Sequence, residues 1–164
     1  MKNLIIYVHG KGGSAGEAEH YKMFFPNSEV IGFDYRSQTL WEAKKEFLAF
    51  FTAQRSWFEH VTLVANSIGA FFGLSSLDET LVDRAYLISP IVDMEKLICN
   101  MMQWSGVTEQ ELALTSIETV SAFAKLHHAD LTVIPGGEHW FHTDEQMQFL
   151  DKWIRERSLN DVCG

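Results

Sequence analysis

The chain has few cysteines and no long apolar run. Its two cysteines, Cys99 and Cys163, lack the spacing of a disulfide framework, which favours reduced thiols and a cytoplasmic location. No apolar stretch approaches the ~20 residues that span a bilayer. The short apolar run at residues 4–8 has no cleavage site after it, so it does not indicate a signal peptide.

Basic residues are also scarce. Thirteen Lys and Arg stand against 22 Asp and Glu, which gives a formal net charge of −9. This balance argues against nucleic acid and anionic membrane surfaces as partners. The length of 164 residues predicts a single domain over residues 1–164, and a hydrophobic content of 46% is sufficient for a substantial core.

Apolar runs predict the fold class. Runs that are apolar on both faces are typical of parallel strands covered by helices on both sides. We predict an α/β fold in three layers, with a doubly wound, mainly parallel sheet of about five strands. The predicted strands are 4–8, 29–34, 61–65, 84–89 and 131–135, and the predicted helices are 15–24, 39–57, 68–77, 115–128 and 144–157.

Ser67 lies where a predicted strand runs directly into a predicted helix. The segment Ala65-Asn66-Ser67-Ile68-Gly69 approximates the G-x-S-x-G pattern of a nucleophile elbow, with Ala65 in the first small position. Such a turn lifts the serine oxygen clear of the backbone, beside N–H groups that can hold an oxyanion. The alternative role for Ser67 is a plain helix N-cap.

His139 lies in a loop between the predicted strand 131–135 and the last predicted helix. Thr143 and Gln146 have the spacing of a capping box, which marks the start of that helix and leaves His139 outside it. An elbow serine followed late in the chain by a loop histidine is the order found in α/β-hydrolases.

A glycine-rich loop follows the first predicted strand. His9-Gly10-Lys11-Gly12-Gly13-Ser14 supplies backbone N–H groups that could complete an oxyanion hole with the N–H of Ile68. Gly10 and Lys11 are the candidates within this loop.

These three motifs together resemble the α/β-hydrolase superfamily, and more narrowly its small bacterial serine hydrolases. The resemblance covers residues 4–92 and 115–155. It implies that Ser67 is the nucleophile, that His139 is the general base and acid, and that Ile68 donates to the oxyanion. It further implies a small-molecule acyl substrate and no metal or organic cofactor.

The chain departs from the family pattern at residues 93–114. A full-length relative would carry a cap there, and then a strand that ends in the catalytic aspartate. Residues 106–114 contain neither a strand-length apolar run nor an aspartate, so that strand and its acid are inferred to be missing. Asp93 is the best substitute and Glu111 the second, although Asp93 also suits a helix N-cap.

Asp130 is excluded as the acid, because it would lie at the opposite end of the predicted strand 131–135, roughly 17 Å from the His139 loop. Without the missing strand, we expect strand 131–135 to pair directly with strand 84–89, which would displace His139 and disturb its hydrogen bond to Ser67. The alternative is that a second copy of the chain covers the opening, with the apolar face of residues 94–104 at the contact.

Two other functions remain open. Gly10, Gly12 and Ala15 satisfy G-x-G-x-x-A after a strand, and Asp34 ends the next strand, so the chain also fits a dinucleotide-binding fingerprint. That hypothesis leaves Ser67 and His139 unexplained. The other alternative is a non-catalytic α/β-hydrolase-like protein disabled by the deletion.

Overall fold

The computed structural model describes residues 2–91, 117–137, 139, 141 and 143–159. Its centre is a parallel sheet of four strands in the order β2-β1-β3-β4. The strands are β1 (Asn3–Val8), β2 (Glu29–Phe33), β3 (His60–Asn66) and β4 (Arg84–Ile88). The predicted α/β class and parallel sheet are therefore confirmed.

The helices follow the predicted order. They are α1 (Ala18–Tyr21), α2 (Leu40–Arg55), α3 (Ile68–Ser76), α4 (Ile117–Leu126) and α5 (Asp144–Leu159). The predicted helix 15–24 is broken, because 3-10 turns at Ala15–Glu17 and Lys22–Phe24 flank the four residues of α1. None of the helices in the described ranges is long and apolar enough to cross a bilayer.

Capping residues define where two of these helices begin. Thr39 accepts a hydrogen bond from the Glu42 N–H at the start of α2, and the Glu42 carboxylate accepts one from the Thr39 N–H. Thr143 accepts from the Gln146 N–H at 3.2 Å, as the predicted capping box requires. The N-cap of α5 is thereby fixed four residues after His139, and the helix begins at the next residue.

Two hydrophobic layers cover the sheet. One joins alternate residues of β1 and β3 to the buried faces of α2 and α3, including Phe47, Phe51 and Phe72. The other joins Tyr7, Val64 and Tyr86 to α1 and α5. Helices therefore lie on both faces, which is the doubly wound arrangement that continuous apolar strands require.

The predicted strand 131–135 is wrong. Residues 131–134 form no strand, and the side chains of Leu131 and Val133 are 41% and 51% exposed. The segment lies against α5 instead, since Trp153 Nε1 and Arg157 donate hydrogen bonds to Thr132 Oγ1 at 3.0 and 3.3 Å. Direct pairing with β4 does not occur either, so the closed five-stranded sheet is also wrong.

Candidate active site

Ser67 occupies a strained turn between β3 and α3. Its φ of 52° and ψ of −120° lie in a region that residues other than glycine rarely adopt. Hydrogen bonds fix both sides of the turn. The Ser67 N–H donates to the Ile88 carbonyl at 3.0 Å, and the Ser67 carbonyl accepts from the Ala70 N–H at 3.1 Å. The surrounding structure therefore imposes the strain, as the elbow hypothesis predicts.

Gly69 allows α3 to approach the end of β1 closely. A Cβ atom at this position would lie 2.4 Å from the His9 carbonyl oxygen and 2.9 Å from that of Val8. Only glycine fits between the helix and these backbone atoms. The second small residue of the elbow motif is therefore required by packing.

The imidazole of His139 lies within hydrogen-bonding distance of the Ser67 hydroxyl. Nε2 lies 2.8 Å from Ser67 Oγ, within the normal range for a hydrogen bond. The expectation that this hydrogen bond would be disturbed is therefore wrong. When Nε2 accepts the hydroxyl proton, the neutral ring carries its own proton on Nδ1.

Burial affects both members of this pair. Ser67 is 5% exposed, and His139 is half-buried. Burial lowers the pKa of His139 because it disfavours the charged imidazolium. The histidine is therefore neutral, and able to act as a base, over a wider pH range than an exposed one.

A turn before His139 and the packing of Phe141 after it position this residue. The Gly137 N–H donates to the Ile134 carbonyl at 3.0 Å, and Gly136 adopts a φ of 71°. Two residues after His139, Phe141 packs against the hydrophobic layer that contains α5. These contacts hold His139 at the carboxyl edge of the sheet.

A carboxylate partner for His139 is not present in the described ranges. Among the described residues, burial is the cause of the lowered pKa of His139, whereas a neighbouring carboxylate would raise that pKa. Asp130 is exposed, and no hydrogen bond joins it to His139 within these ranges; the strand on which its exclusion was argued does not form. Asp93 and Glu111, the predicted substitutes, lie outside the described residues.

The loop after β1 packs beside the elbow. A Cβ atom on Gly10 would lie 3.2 Å from Ser67 Cβ. The Gly10 carbonyl accepts from His9 Nδ1 at 2.8 Å and from the Gly13 N–H at 3.2 Å. The Gly10 carbonyl and the Lys11 N–H belong to one trans peptide, in which C=O and N–H point in opposite directions. The Lys11 N–H therefore points away from His9 Nδ1 and from the Gly13 N–H.

Ile68 is the first residue of α3, so its N–H has no partner within the helix. Of the donors predicted for an oxyanion, Ile68 follows Ser67 directly, Gly10 packs against it, and Lys11 is the residue after Gly10. Their role in holding an oxyanion stays a prediction.

Sequence reasoning missed the packing of the His9 side chain. Its ring stacks on Tyr35 with centroids 4.5 Å apart, and the Tyr35 hydroxyl donates to the His9 carbonyl at 2.9 Å. Within the described part of the chain, His9 Nε2 is buried without a hydrogen-bond partner. The signal for this role was a histidine directly before the first glycine of the loop.

The dinucleotide fingerprint is not matched by the local structure. Ala15 begins a 3-10 turn of three residues, and α1 has only four, so the glycine loop does not open a helix of useful length. Asp34 is exposed at the end of β2 and shares no hydrogen bond with the glycine loop in the described ranges. The same ranges hold no cluster of three His, Cys, Asp or Glu residues suited to a metal ion.

Solved structures of hydrolases share this architecture. A carboxylesterase from Mesorhizobium loti superposes with a TM-score of 0.62 at 15% identity, over 93% of this chain and 88% of its own. A predicted CIB-like hydrolase from Thermoplasma acidophilum gives 0.66 at 12% identity, over 95% and 86%. The chain therefore has an α/β-hydrolase-like fold.

A third similar structure is longer than this chain. It is an uncharacterized protein from Bacillus cereus ATCC 10987, with a TM-score of 0.64 at 14% identity, matched over 94% of this chain. The present chain spans 60% of its length. Neither a protein-family model nor a curated protein sequence matches the chain.

Proposed function

We propose that the protein is a serine hydrolase that cleaves an ester, thioester or amide through an acyl-enzyme. The observation that carries this proposal is the 2.8 Å contact between Ser67 Oγ and His139 Nε2, with Ser67 held on a strained turn. A serine that merely capped α3 would need neither a half-buried imidazole beside it nor a positive φ. The carboxylesterase and hydrolase folds that resemble the chain support the same class of reaction.

The reaction would proceed in two halves. Ser67 Oγ adds to the acyl carbon while His139 Nε2 takes the hydroxyl proton, and the carbonyl oxygen becomes an oxyanion. Collapse of this intermediate breaks the bond to the leaving group, which receives the proton from His139. Water then attacks the acyl-enzyme, again with His139 as base, and releases the acid and Ser67.

Turnover should be slow unless Asp93, Glu111 or another carboxylate orients His139. In a well-studied serine protease, replacing the acid lowers kcat by about four orders of magnitude. The serine, the base and the oxyanion donors still accelerate the reaction over water. Acylation by a reactive probe is therefore a more sensitive test than steady-state turnover.

The test is labelling with a fluorescent fluorophosphonate. The parent chain should label, Ser67→Ala should not, and His139→Ala should label much more slowly because the base is gone. Ser89→Ala is the matched control, since Ser89 also has a positive φ, of 44°, and follows the neighbouring strand β4 at the same sheet edge. It should label at the parent rate.

Circular dichroism of each variant confirms that the fold is retained. Equal labelling of the parent and Ser67→Ala, or no labelling of a folded parent, would contradict the proposal. The second result would favour the non-catalytic alternative.

A further inference from the structure

The hydroxyl of Tyr7 has a partner outside its own strand. Tyr7 lies on β1 with 1% of its surface exposed, and its ring stacks on Tyr21 with centroids 4.9 Å apart. A phenylalanine would fill the same space. The hydroxyl, however, donates to Glu17 Oε2 at 2.5 Å, a length typical of a hydrogen bond to a charged carboxylate.

Glu17 in turn closes the glycine-rich loop. Its Oε1 accepts from the Ser14 N–H at 2.8 Å, and its own N–H donates to the Ser14 carbonyl at 3.2 Å. Gly13 lies against the same oxygen, since a Cβ atom there would be 2.6 Å from Oε1. The carboxylate of Glu17 thus links the far end of the loop to the Tyr7 hydroxyl.

The Tyr7 hydroxyl also interacts with the elbow. The side-chain amide of Asn66, the residue before Ser67, lies close enough to the Tyr7 hydroxyl to oppose the rise in the pKa of Tyr7 that burial causes. Asn66 also lies beside the near end of the loop, with its Cγ 3.9 Å from where a Cβ of Gly10 would be. The Tyr7 hydroxyl therefore lies between the elbow and the glycine-rich loop, the two segments that carry the predicted oxyanion donors.

We propose that Tyr7 and Glu17 are positioning residues, which hold the loop Gly10–Ser14 in register with the Ser67 elbow and thereby set the rate of acylation. The inference rests on the proposed serine hydrolase function. Two adjacent glycines give the backbone of this loop wide conformational freedom. An oxyanion donor, in contrast, must be held at hydrogen-bonding distance from the position that the oxyanion will occupy. The charged hydrogen bonds of Glu17 supply that constraint.

The first test compares Tyr7→Phe with Tyr21→Phe. Both changes remove one buried hydroxyl and keep the ring, but the Tyr21 hydroxyl makes no hydrogen bond to the described part of the loop. Release of p-nitrophenol from p-nitrophenyl acetate is measured per folded molecule. We expect about a tenfold lower acylation rate with an unchanged KM in Tyr7→Phe, and no change in Tyr21→Phe.

Glu17 variants separate positioning from simple stability. Gln at position 17 keeps one acceptor oxygen, whereas Ala keeps none. The acylation rate should therefore fall in the order parent, Glu17→Gln, Glu17→Ala. A purely structural role would lower the melting temperature and leave the acylation rate of the folded fraction unchanged, and that result would overturn the proposal.

Amide hydrogen exchange measures how often the loop opens, and it needs no substrate. In Tyr7→Phe the amides of Gly13 and Ser14 should exchange about tenfold faster, while those of β3 stay protected. Unchanged protection would overturn the positioning role even if the chain is a hydrolase. Failure of the folded parent to label with fluorophosphonate would instead overturn the proposed function, and the effect on acylation with it.

Discussion

Replacing Gly69 by Ala should disturb both the stability and the reactivity of the protein. The added Cβ would lie 2.4 Å from the His9 carbonyl oxygen, whereas ordinary contact begins at 3.4 Å. That oxygen belongs to the backbone and accepts the Tyr35 hydroxyl at 2.9 Å, so it cannot swing aside like the end of a side chain. The start of α3 must therefore move away from β1 by roughly 1 Å.

The effects of Gly69→Ala on stability and on reactivity can be estimated separately. Overpacking typically costs about 1–3 kcal/mol, and alanine in place of helical glycine returns about 1 kcal/mol. We expect a net loss of up to about 2 kcal/mol, which lowers Tm by up to about 8 °C in a chain of this length. Because Ser67 directly precedes α3, a displacement of roughly 1 Å should also slow fluorophosphonate labelling about 100-fold.

Gly73→Ala is the matched control in the same helix. A Cβ there would meet only Leu63 Cδ2, at 2.9 Å, which is the end of a flexible side chain. This variant should label at the parent rate and differ in stability by less than about 1 kcal/mol. Urea unfolding and labelling are measured on both. The reasoning is refuted if Gly69→Ala is as stable and as reactive as Gly73→Ala.

Two further predictions concern the base and its acid. The labelling rate should rise with pH and reach its midpoint below the ordinary imidazole pKa of about 6.5, since burial lowers the pKa of His139 and only neutral imidazole accepts the Ser67 proton. A midpoint above that value would contradict the burial argument. Asp93→Asn should slow p-nitrophenyl acetate turnover more than Asp130→Asn, because Asp130 is exposed and has no hydrogen bond to His139 in the described ranges. If Asp93→Asn, Asp130→Asn and Glu111→Gln all keep the parent rate, none of these carboxylates assists the base.

The sheet and the elbow were predictable because their signals are local. Each of the four observed strands is a continuous apolar run, and such runs are typical of strands covered on both faces. The elbow needs only a strand, a serine and a helix in succession, and Gly69 marks the close approach that follows. Chain order and the family resemblance paired Ser67 with His139, but their hydrogen bond was expected to be disturbed, and the structure shows it at 2.8 Å.

The error at residues 131–135 came from a contact that is distant in sequence. The run Leu131-Thr132-Val133-Ile134 has strong strand propensity, but a strand requires a neighbour with free backbone groups. Hydrogen bonds from Trp153 and Arg157 hold Thr132 against α5 instead. Propensity carries no information about such a partner.

The contacts among Tyr7, Glu17 and Asn66 could not be predicted from the sequence either. They depend on the glycine loop folding back over the end of β1, which is decided by tertiary packing. A tyrosine inside an apolar strand predicts a buried ring, and it does not say where the hydroxyl finds its partner.

The attachment of residues 131–134 to α5 has a consequence for how this architecture can vary. His139 follows a segment whose place is set by a helix packed on one face of the sheet, through Leu150 and Ile154. The distance between Ser67 and His139 therefore depends on the packing of α5 and not on a strand at residues 131–134 paired with β4. Strands can be gained or lost at this edge, in evolution or in design, while the reacting pair keeps its geometry.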